Sequence, residues 1–329
     1  MNGNGVVTLS VQSGIWVSGT TTLAPEAKLN VTFNTFSLVS FAGLVTGAGG
    51  IDKYGNAALV LLNGSNDYAG GTIINGSTAA TASSAVASAY RGTGTPFSTG
   101  AITVNPGGVL RIADNANIAS NPVTMKSDGV GLAGLGLAHN GPLPTIITAG
   151  SPTAGQVKVE STGLYAGVVT LDYGYYDRAL DMSAIPGGNW WLGNSTQSES
   201  FYFNSTLGAS TNGRYLLGGG GNQSGITFGG VQVSGNRLGL FENIFSGGSA
   251  GQTRVEIGAL TAELAANGPS FVNGNTGFMA LSRAIPASSA TFESISIPHW
   301  LSATILPSAP ADWCSTAATY ATISARTTL

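Results

Sequence analysis

Hydrophobic and polar residues alternate in short runs along most of this chain. VVTLSV (6–11) and AITV (101–104) place an apolar side chain at every second position, which is the period of a strand with one buried face. Similar runs occupy 21–25, 29–33, 58–62, 72–75, 109–112, 123–125, 157–160, 168–171, 226–228, 231–233 and 254–257. Because Gly and Asn turns separate these runs about every 8 to 12 residues, the pattern predicts an all-β protein.

Internal similarity favours a solenoid over a sandwich or a barrel. GGTIINGST (70–78), GAITVNPGGVLRI (100–112) and GGVQVSGNRLGL (229–240) share a glycine, an alternating triplet and a polar turn. A further copy follows about 20 residues after the second, and this period is typical of one coil of a parallel β-helix. We expect the core ladders to contain Ile73, Ile102, Val104, Leu110 and Ile112.

Coil corners are predicted where a polar residue follows a strand. Asn75 and Asn105 occupy such positions and suit left-handed or bridge backbone conformations. Two stretches depart from the strand pattern. The Ala/Ser-rich segment 79–91 is expected to be a loop or a single helical turn, and LTAELAAN (260–267) is expected to be a short helix that ends at Gly268.

The last fifty residues differ in composition from the rest. Glycine is absent after Gly277 and asparagine after Asn275, although the chain has 49 glycines. We therefore divide the chain into a solenoid domain, 1–277, and an atypical tail, 278–329. This tail is either a cap that closes the open end of the solenoid or a segment translated from a shifted reading frame.

Composition excludes several classes of protein. Charged residues are only 8% of the chain and the net charge is −3, without a basic cluster, so we expect no nucleic acid partner. The single cysteine, Cys314, excludes an internal disulfide framework. With only two histidines, His139 and His299, we expect no zinc or copper centre, and we expect no metal and no cofactor. Each histidine is expected on the surface or in a turn. No apolar run is long enough to cross a membrane as a helix.

Candidate chemistry is confined to a few clusters. Asp172, Asp177 and Asp181 lie close together in LDYGYYDRALDM, with Arg178 and three tyrosines between them. Paired carboxylates can perform acid–base hydrolysis of sugars, and tyrosines can stack on sugar rings, but carboxylates that cap turns or pair with arginine are the favoured interpretation. Trp190 and Trp191 are expected to be buried rather than to form a sugar-binding platform. The run Gly218–Asn222 lacks the aspartates of a calcium-binding repeat.

Residues 47–78, GAGGIDKYGNAALVLLNGSNDYAGGTIINGST, resemble the autotransporter-associated β-strand repeat, also called the passenger-associated transport repeat. Its usual form is G-x-G-G-L-x-K-x-G-x-G-x-L-x-L-x-G-x-N-x-Y-x-G-G-T-x-I/V-x-x-G. The matching positions are Gly49, Gly50, Lys53, Gly55, Leu59, Leu61, Gly64, Asn66, Tyr68, Gly70, Gly71, Thr72, Ile74 and Gly76. Ile51, Ala57 and Asp67 depart mildly from the pattern. After Arg283 the sequence no longer resembles the family.

The resemblance implies a right-handed, single-stranded parallel β-helix with short loops, exported to the cell surface or the exterior of a bacterium. No secretion signal is visible, and we expect the chain to be part of a longer exported protein. The function implied is structural or adhesive and not catalytic, and the alternative is a β-helix that binds or degrades polysaccharide. Candidate partners are cell-surface polysaccharide, other surface proteins and further copies of the chain.

Overall fold

Strands pair in parallel with the corresponding strands of the next coil, which stacks the chain into coils. The computed structural model describes residues 6–11, 14–33, 38–55, 58–76, 85–89, 94–128, 132–195, 200–202, 205–211 and 213–217, and then the strands at 225–228, 237–240, 245–246, 253–257, 279–281, 290–294 and 304–305. The predicted all-β solenoid is confirmed in this part of the chain.

The strands are short throughout. In the first half they are β1 Val6–Val11, β2 Ile15–Val17, β3 Thr21–Leu23, β4 Lys28–Phe33, β5 Leu38–Phe41, β6 Val45–Gly47, β7 Gly50–Gly55, β8 Ala58–Leu61, β9 Thr72–Ile74, β10 Ala85–Ala89, β11 Ile102–Val104, β12 Gly108–Ile112, β13 Val123–Ser127, β14 Gly134–Leu137, β15 Thr145–Ile147 and β16 Gln156–Ser161. In the second half they are β17 Tyr165–Leu171, β18 Tyr175–Tyr176, β19 Leu180–Asp181, β20 Asn189–Gly193, β21 Ser200–Tyr202, β22 Leu207–Gly208, β23 Arg214–Leu217, β24 Gly225–Phe228, β25 Arg237–Leu240, β26 Phe245–Ser246, β27 Thr253–Ile257, β28 Met279–Leu281, β29 Ala290–Ser294 and β30 Thr304–Ile305. In the part of the chain that the structure describes, 3-10 helices lie at Asn115–Ile118 and Met182–Ala184.

Two long sheets form the sides of the solenoid. Sheet 1 has the order β1-β4-β7-β9-β11-β13-β16-β15, and sheet 2 has the order β2-β5-β8-β10-β12-β14-β17-β20-β23-β27-β29. Up to β14 the chain alternates between these sheets, apart from β3 and β6, so each of these coils contributes to both. β15 and β16 then pair with each other in sheet 1 before the chain returns to sheet 2 at β17. A two-stranded sheet, β3-β6, adds a third side to the first two coils. Since parallel strands lie about 4.8 Å apart, the 11 strands of sheet 2 span roughly 50 Å along the axis.

The core consists of ladders of apolar side chains between the sheets. Ile102, Val104, Leu110 and Ile112 are fully buried, as predicted. The prediction for Ile73 is wrong, because strand β9 buries Thr72 and Ile74 and turns Ile73 outward. The side-chain period of a strand is two residues, so choosing the neighbouring isoleucine reverses the face.

Two other predictions need correction. Within the segment 79–91, expected to be a loop or a helical turn, Ala85–Ala89 form β10, which pairs with β8 and β12 in the middle of sheet 2. Of the left-handed or bridge conformations predicted for Asn75 and Asn105, the left-handed one is excluded, because among the described residues other than glycine only Glu26 and Ser98 have a positive φ. The bridge conformation stays a prediction. The Asn105 side chain donates a hydrogen bond to Asn75 Oδ1 at 2.7 Å, which links two adjacent coils.

Several predictions lie outside the described residues, namely the strand at 231–233, the helix at 260–267, the glycine run 218–222, and both Cys314 and His299. Three strands, β28 to β30, fall within the tail 278–329, and the division at 277 stays a prediction. In the portion that the structure covers, no helix has the length and apolar character needed to span a bilayer.

The cross-section changes in the middle of the solenoid. Sheet 2 continues past β17, but sheet 1 ends at β15. Beyond that point β18 begins a six-stranded sheet, β18-β21-β25-β24-β28-β30, and β19 begins a three-stranded sheet, β19-β22-β26. Sheet 2 is therefore the continuous wall, and the opposite wall is interrupted between β15 and β19.

Candidate functional site

Asn66, in the segment that resembles the repeat, joins three successive coils. Its Oδ1 accepts the backbone N–H of Val45 at 2.8 Å, and its Nδ2 donates to the carbonyl of Pro96 at 2.8 Å. The partners lie 21 residues before it and 30 residues after it. Since Asn66 is only 3% exposed, it satisfies backbone groups that water does not reach.

Neighbouring residues of this segment pack around the coil corner that contains Asn66. Tyr68 is fully buried, and its hydroxyl lies 2.6 Å from Thr72 Oγ1. Burial raises the pKa of the Tyr68 phenol, which keeps it neutral. Gly71 has a φ of +75°, and a Cβ there would lie 2.4 Å from the carbonyl oxygen of Ala101 in the next coil. Glycine is thus required by both backbone conformation and space.

Close approach between coils also explains Gly49, Gly50, Gly70 and Gly76, where a Cβ would come within 2.0 to 2.6 Å of backbone atoms in a neighbouring coil. Leu59, Leu61 and Ile74 belong to the core. Gly55 ends β7, and Gly64 lies in the turn after β8, where its carbonyl accepts the backbone N–H of Thr95. The motif positions are therefore structural in this part of the chain.

Lys53 is the unusual member of the motif because its side chain lies inside the solenoid. It stands between Val31 and Ile74 in the ladder of sheet 1 and has no exposed surface. Its Nζ donates a hydrogen bond to the carbonyl of Tyr54. Removal from water lowers the pKa of Lys53 from 10.5 to about 7, because burial disfavours the charged ammonium form.

The three candidate carboxylates differ sharply in their surroundings. Asp172 lies at the end of β17 and its side chain is completely buried. Its oxygens accept hydrogen bonds from Thr170 Oγ1 at 3.0 Å, from the backbone N–H of Ser195 at 2.7 Å and from the Ser195 hydroxyl. Arg111 Nε lies 3.6 Å away. A buried carboxyl group with this many partners has a structural role and is shielded from a substrate.

Asp177 and Asp181 are exposed, but the side chain of each accepts hydrogen bonds from the protein. Asp177 accepts a hydrogen bond from Asn140 Nδ2 at 2.6 Å, across to the preceding coil. Asp181 is the N-cap of the second 3-10 helix and accepts from the backbone N–H and the hydroxyl of Ser183 at 2.9 and 2.7 Å. The Ser183 hydroxyl is the main reason that the pKa of Asp181 is lowered, so Asp181 is ionised at neutral pH.

Two hollows adjoin Asp181. The first, of about 460 Å³, lies between the Pro142–Ile146 segment of one coil and residues 176–186 of the next. The second, of about 490 Å³, lies between residues 179–183 and residues 206–213 of the following coil. Ala179, Leu180 and Asp181 line both hollows, and we call the pair the lateral trough. Arg178 lines the first hollow, whereas Asp172 lines neither.

Aromatic side chains divide between the core and the surface. Trp190 and Trp191 are buried, as predicted. Trp190 packs in the main core, and Trp191 packs in a second apolar cluster with Val168 and against Tyr165, whose ring centroid is 5.5 Å away. Tyr173 and Tyr175, by contrast, are 44% and 59% exposed beside the trough segment.

His139, which was expected on the surface or in a turn, lies in a bend and is buried. Burial is the main cause of its lowered pKa, the charge of Asp114 opposes the shift, and the charge of Arg178 adds to it. Among the described residues, His, Cys, Asp and Glu side chains form no group of three that could hold a metal ion.

Sequence reasoning missed the residues that complete the trough. Pro142–Ile146 and Thr206–Gly213 carry no motif, and only the stacking of coils brings them to Asp181. It also missed Asn121, which is fully buried and donates hydrogen bonds to the carbonyls of Phe97 and Gly100 one coil earlier. The signal in the sequence is the Asn-Pro pair directly before a predicted strand, as at Asn121–Pro122–Val123.

Comparisons of the chain with family models, with curated proteins and with solved structures found no match.

Proposed function

We propose that the chain is a structural and adhesive segment of a protein exported to the surface of a bacterium. The observation that carries the proposal is the uninterrupted sheet 2, in which 11 parallel strands stack along one axis. A stack of this kind resists bending because each coil is hydrogen-bonded to its neighbours along this continuous wall. The resemblance of residues 47–78 to a repeat of autotransporter passengers supports the compartment.

A polysaccharide-degrading activity has weaker support. Hydrolysis of a glycosidic bond needs two carboxyl groups facing each other across the substrate. Asp172 is buried beneath its hydrogen-bond partners, and Asp181 is held as a helix cap. Asp177 is bonded to Asn140. These engagements favour a non-catalytic role for the cluster.

The adhesive role can be tested by display. The chain, fused to an outer-membrane anchor on a laboratory bacterium, should increase attachment of the cells to polysaccharide-coated surfaces. The matched control is the Asn66→Ala, Gly76→Val double variant, displayed at the same level as measured with an antibody to a terminal tag. Its coils should be disrupted because both changes act where coils meet. Equal attachment by the two strains would contradict the proposal.

A further inference from the structure

The lateral trough exists because stacking is interrupted there. In the regular part of the solenoid, each strand is covered by the next at about 4.8 Å, which leaves no room for a ligand between coils. Sheet 1 ends at β15 and a new sheet begins at β19, so Pro142–Ile146 and residues 176–186 face each other across a gap. The gap is a product of the fold itself.

The second hollow is kept open by a glycine. Asp181 of β19 pairs with Gly208 of β22, and a Cβ on Gly208 would lie 2.8 Å from Asp181 Oδ1. The absent side chain leaves space above β22 next to an ionised carboxylate. Both hollows fall within the roughly 300 to 1,000 Å³ that small-molecule sites occupy.

The lining combines apolar surface with hydroxyl and carboxylate groups. Leu143, Ile146 and Ile185 contribute the apolar wall of the first hollow. Ser183, Thr206 and Thr211 contribute hydroxyls to the second. A sugar ring presents apolar C–H faces and hydroxyl edges, which such a lining matches. Arg178 and Asp181 have opposite charges, so the trough does not favour a charged ligand of either sign.

We infer that the lateral trough binds a short segment of an uncharged polysaccharide. The inference rests on the proposed function and gives its adhesive part a ligand class. Asp181 and the hydroxyl oxygens of the Ser and Thr residues accept hydrogen bonds from sugar hydroxyls, and the apolar wall covers a ring face. Because the two hollows come from successive coils, the bound chain runs along the solenoid axis.

An extended peptide is the competing occupant, and the strand edges argue against it. Strand addition needs a free edge of several residues. The edges that border the first hollow are only three residues long in β15 and two in β19. Pro142 and Pro144, which precede β15, have no N–H group to offer.

The test uses a substitution that fills the trough with a larger side chain and removes no existing contact. Ala179 is exposed and lines both hollows, so Ala179→Trp should block them and leave the core unchanged. The matched control is Ala154→Trp, since Ala154 is exposed in a turn outside the trough. Circular dichroism and thermal unfolding establish that both variants fold as the parent does.

Binding is measured by calorimetry on the full chain with hexasaccharides of glucose, mannose and galactose, with hexagalacturonate as a charged probe and an alternating Val–Thr hexapeptide. At least one uncharged hexasaccharide should bind, and Ala179→Trp should weaken it about tenfold or more while Ala154→Trp does not. No binding of an uncharged probe, preference for the charged probe or the peptide, or unchanged affinity in Ala179→Trp would each overturn the inference. If the trough fails any of these tests but cells that display the chain still attach to polysaccharide-coated surfaces, the proposed adhesive function is retained and only the trough is rejected as its binding site.

Discussion

The side-chain oxygen of Asn66 accepts the backbone N–H of Val45 across 2.8 Å, and these two residues belong to successive coils. Through the same amide, Asn66 also reaches Pro96 in the coil beyond. Asn66, which the sequence identifies only as part of a turn, therefore connects three coils through hydrogen bonds. Its removal tests whether coil stacking depends on such side chains.

Asn66→Ala should lower the free energy of unfolding by about 3 kcal/mol, because it leaves one buried N–H and one buried C=O without a partner. Urea unfolding followed by circular dichroism measures the change. Asn63→Ala is the control, since Asn63 accepts only the exposed N–H of Ser65 and should cost about 0.5 kcal/mol. Equal effects of the two substitutions would contradict the role given to Asn66.

Lys53→Met should stabilise the protein at pH 7 by on the order of 3 kcal/mol, because the parent buries an ammonium group in an apolar ladder. The pKa of Lys53 is about 7 when folded and 10.5 when unfolded. The unfolded chain therefore holds the proton over this range, and parent stability should rise as the pH increases from 7 to 10.5.

The measurement is urea unfolding at pH 7 and pH 9.5 for the parent and for Lys53→Met. The variant should lack most of the increase seen in the parent. Lys28→Met serves as the control, because Lys28 is partly exposed and pairs with Asp52 at 3.4 Å. An increase of the same size in Lys53→Met and in the parent would show that Lys53 is charged and solvated in the folded protein.

His139 should make the protein sensitive to mild acid. Its folded pKa lies below the ordinary 6.5 because of burial, so the unfolded state binds the proton more readily. Stability should be at its full value above pH 6.5 and should fall as the pH decreases below it. Melting temperatures between pH 7.5 and 5 should drop less in His139→Gln than in the parent, and identical profiles would refute the assignment.

The strands could be predicted where the residues of a segment by themselves determine its conformation. Alternation identified β11, since Ile102 and Val104 flank a threonine and both are buried. It failed for Ala85–Ala89, because alanine and serine have little intrinsic preference for strands. That segment becomes a strand through pairing with β8 and β12, which is a tertiary effect that no local pattern contains.

The candidate site was predictable only in part, for a related reason. Sequence proximity grouped Asp172, Asp177 and Asp181, but their roles depend on residues far away along the chain. Arg111, which donates a hydrogen bond to the carbonyl of Asp172, lies 61 residues before it. The trough likewise forms between coils that are adjacent in space but lie a full turn of the solenoid apart along the chain. The spacing of residues in the sequence therefore could not indicate it.

Asp172→Ala should cost about 3 kcal/mol of stability, because it removes the carboxylate that faces Arg111 and leaves the backbone N–H of Ser195 and the Thr170 hydroxyl without their acceptor. Asp177→Ala is the matched control, since Asp177 is exposed and its bond to Asn140 is open to water. It should cost about 0.5 kcal/mol. Thermal unfolding distinguishes them, and a larger loss for Asp177→Ala would reverse the structural assignment of the two carboxylates.

Gly76→Ala should separate the role of space from that of backbone conformation at the coil contacts. A Cβ on Gly76 would lie 2.0 Å from the carbonyl oxygen of Pro106, so one coil must move for the methyl group to fit. We expect a loss of about 2 kcal/mol in the free energy of unfolding, as for other overpacked sites.

Gly19→Ala is the control, because a Cβ there meets no atom within 4 Å and the backbone conformation suits alanine. That substitution should change stability by no more than about 0.5 kcal/mol. If Gly76→Ala were as stable as Gly19→Ala, the glycines of the repeat would not be explained by the approach of neighbouring coils.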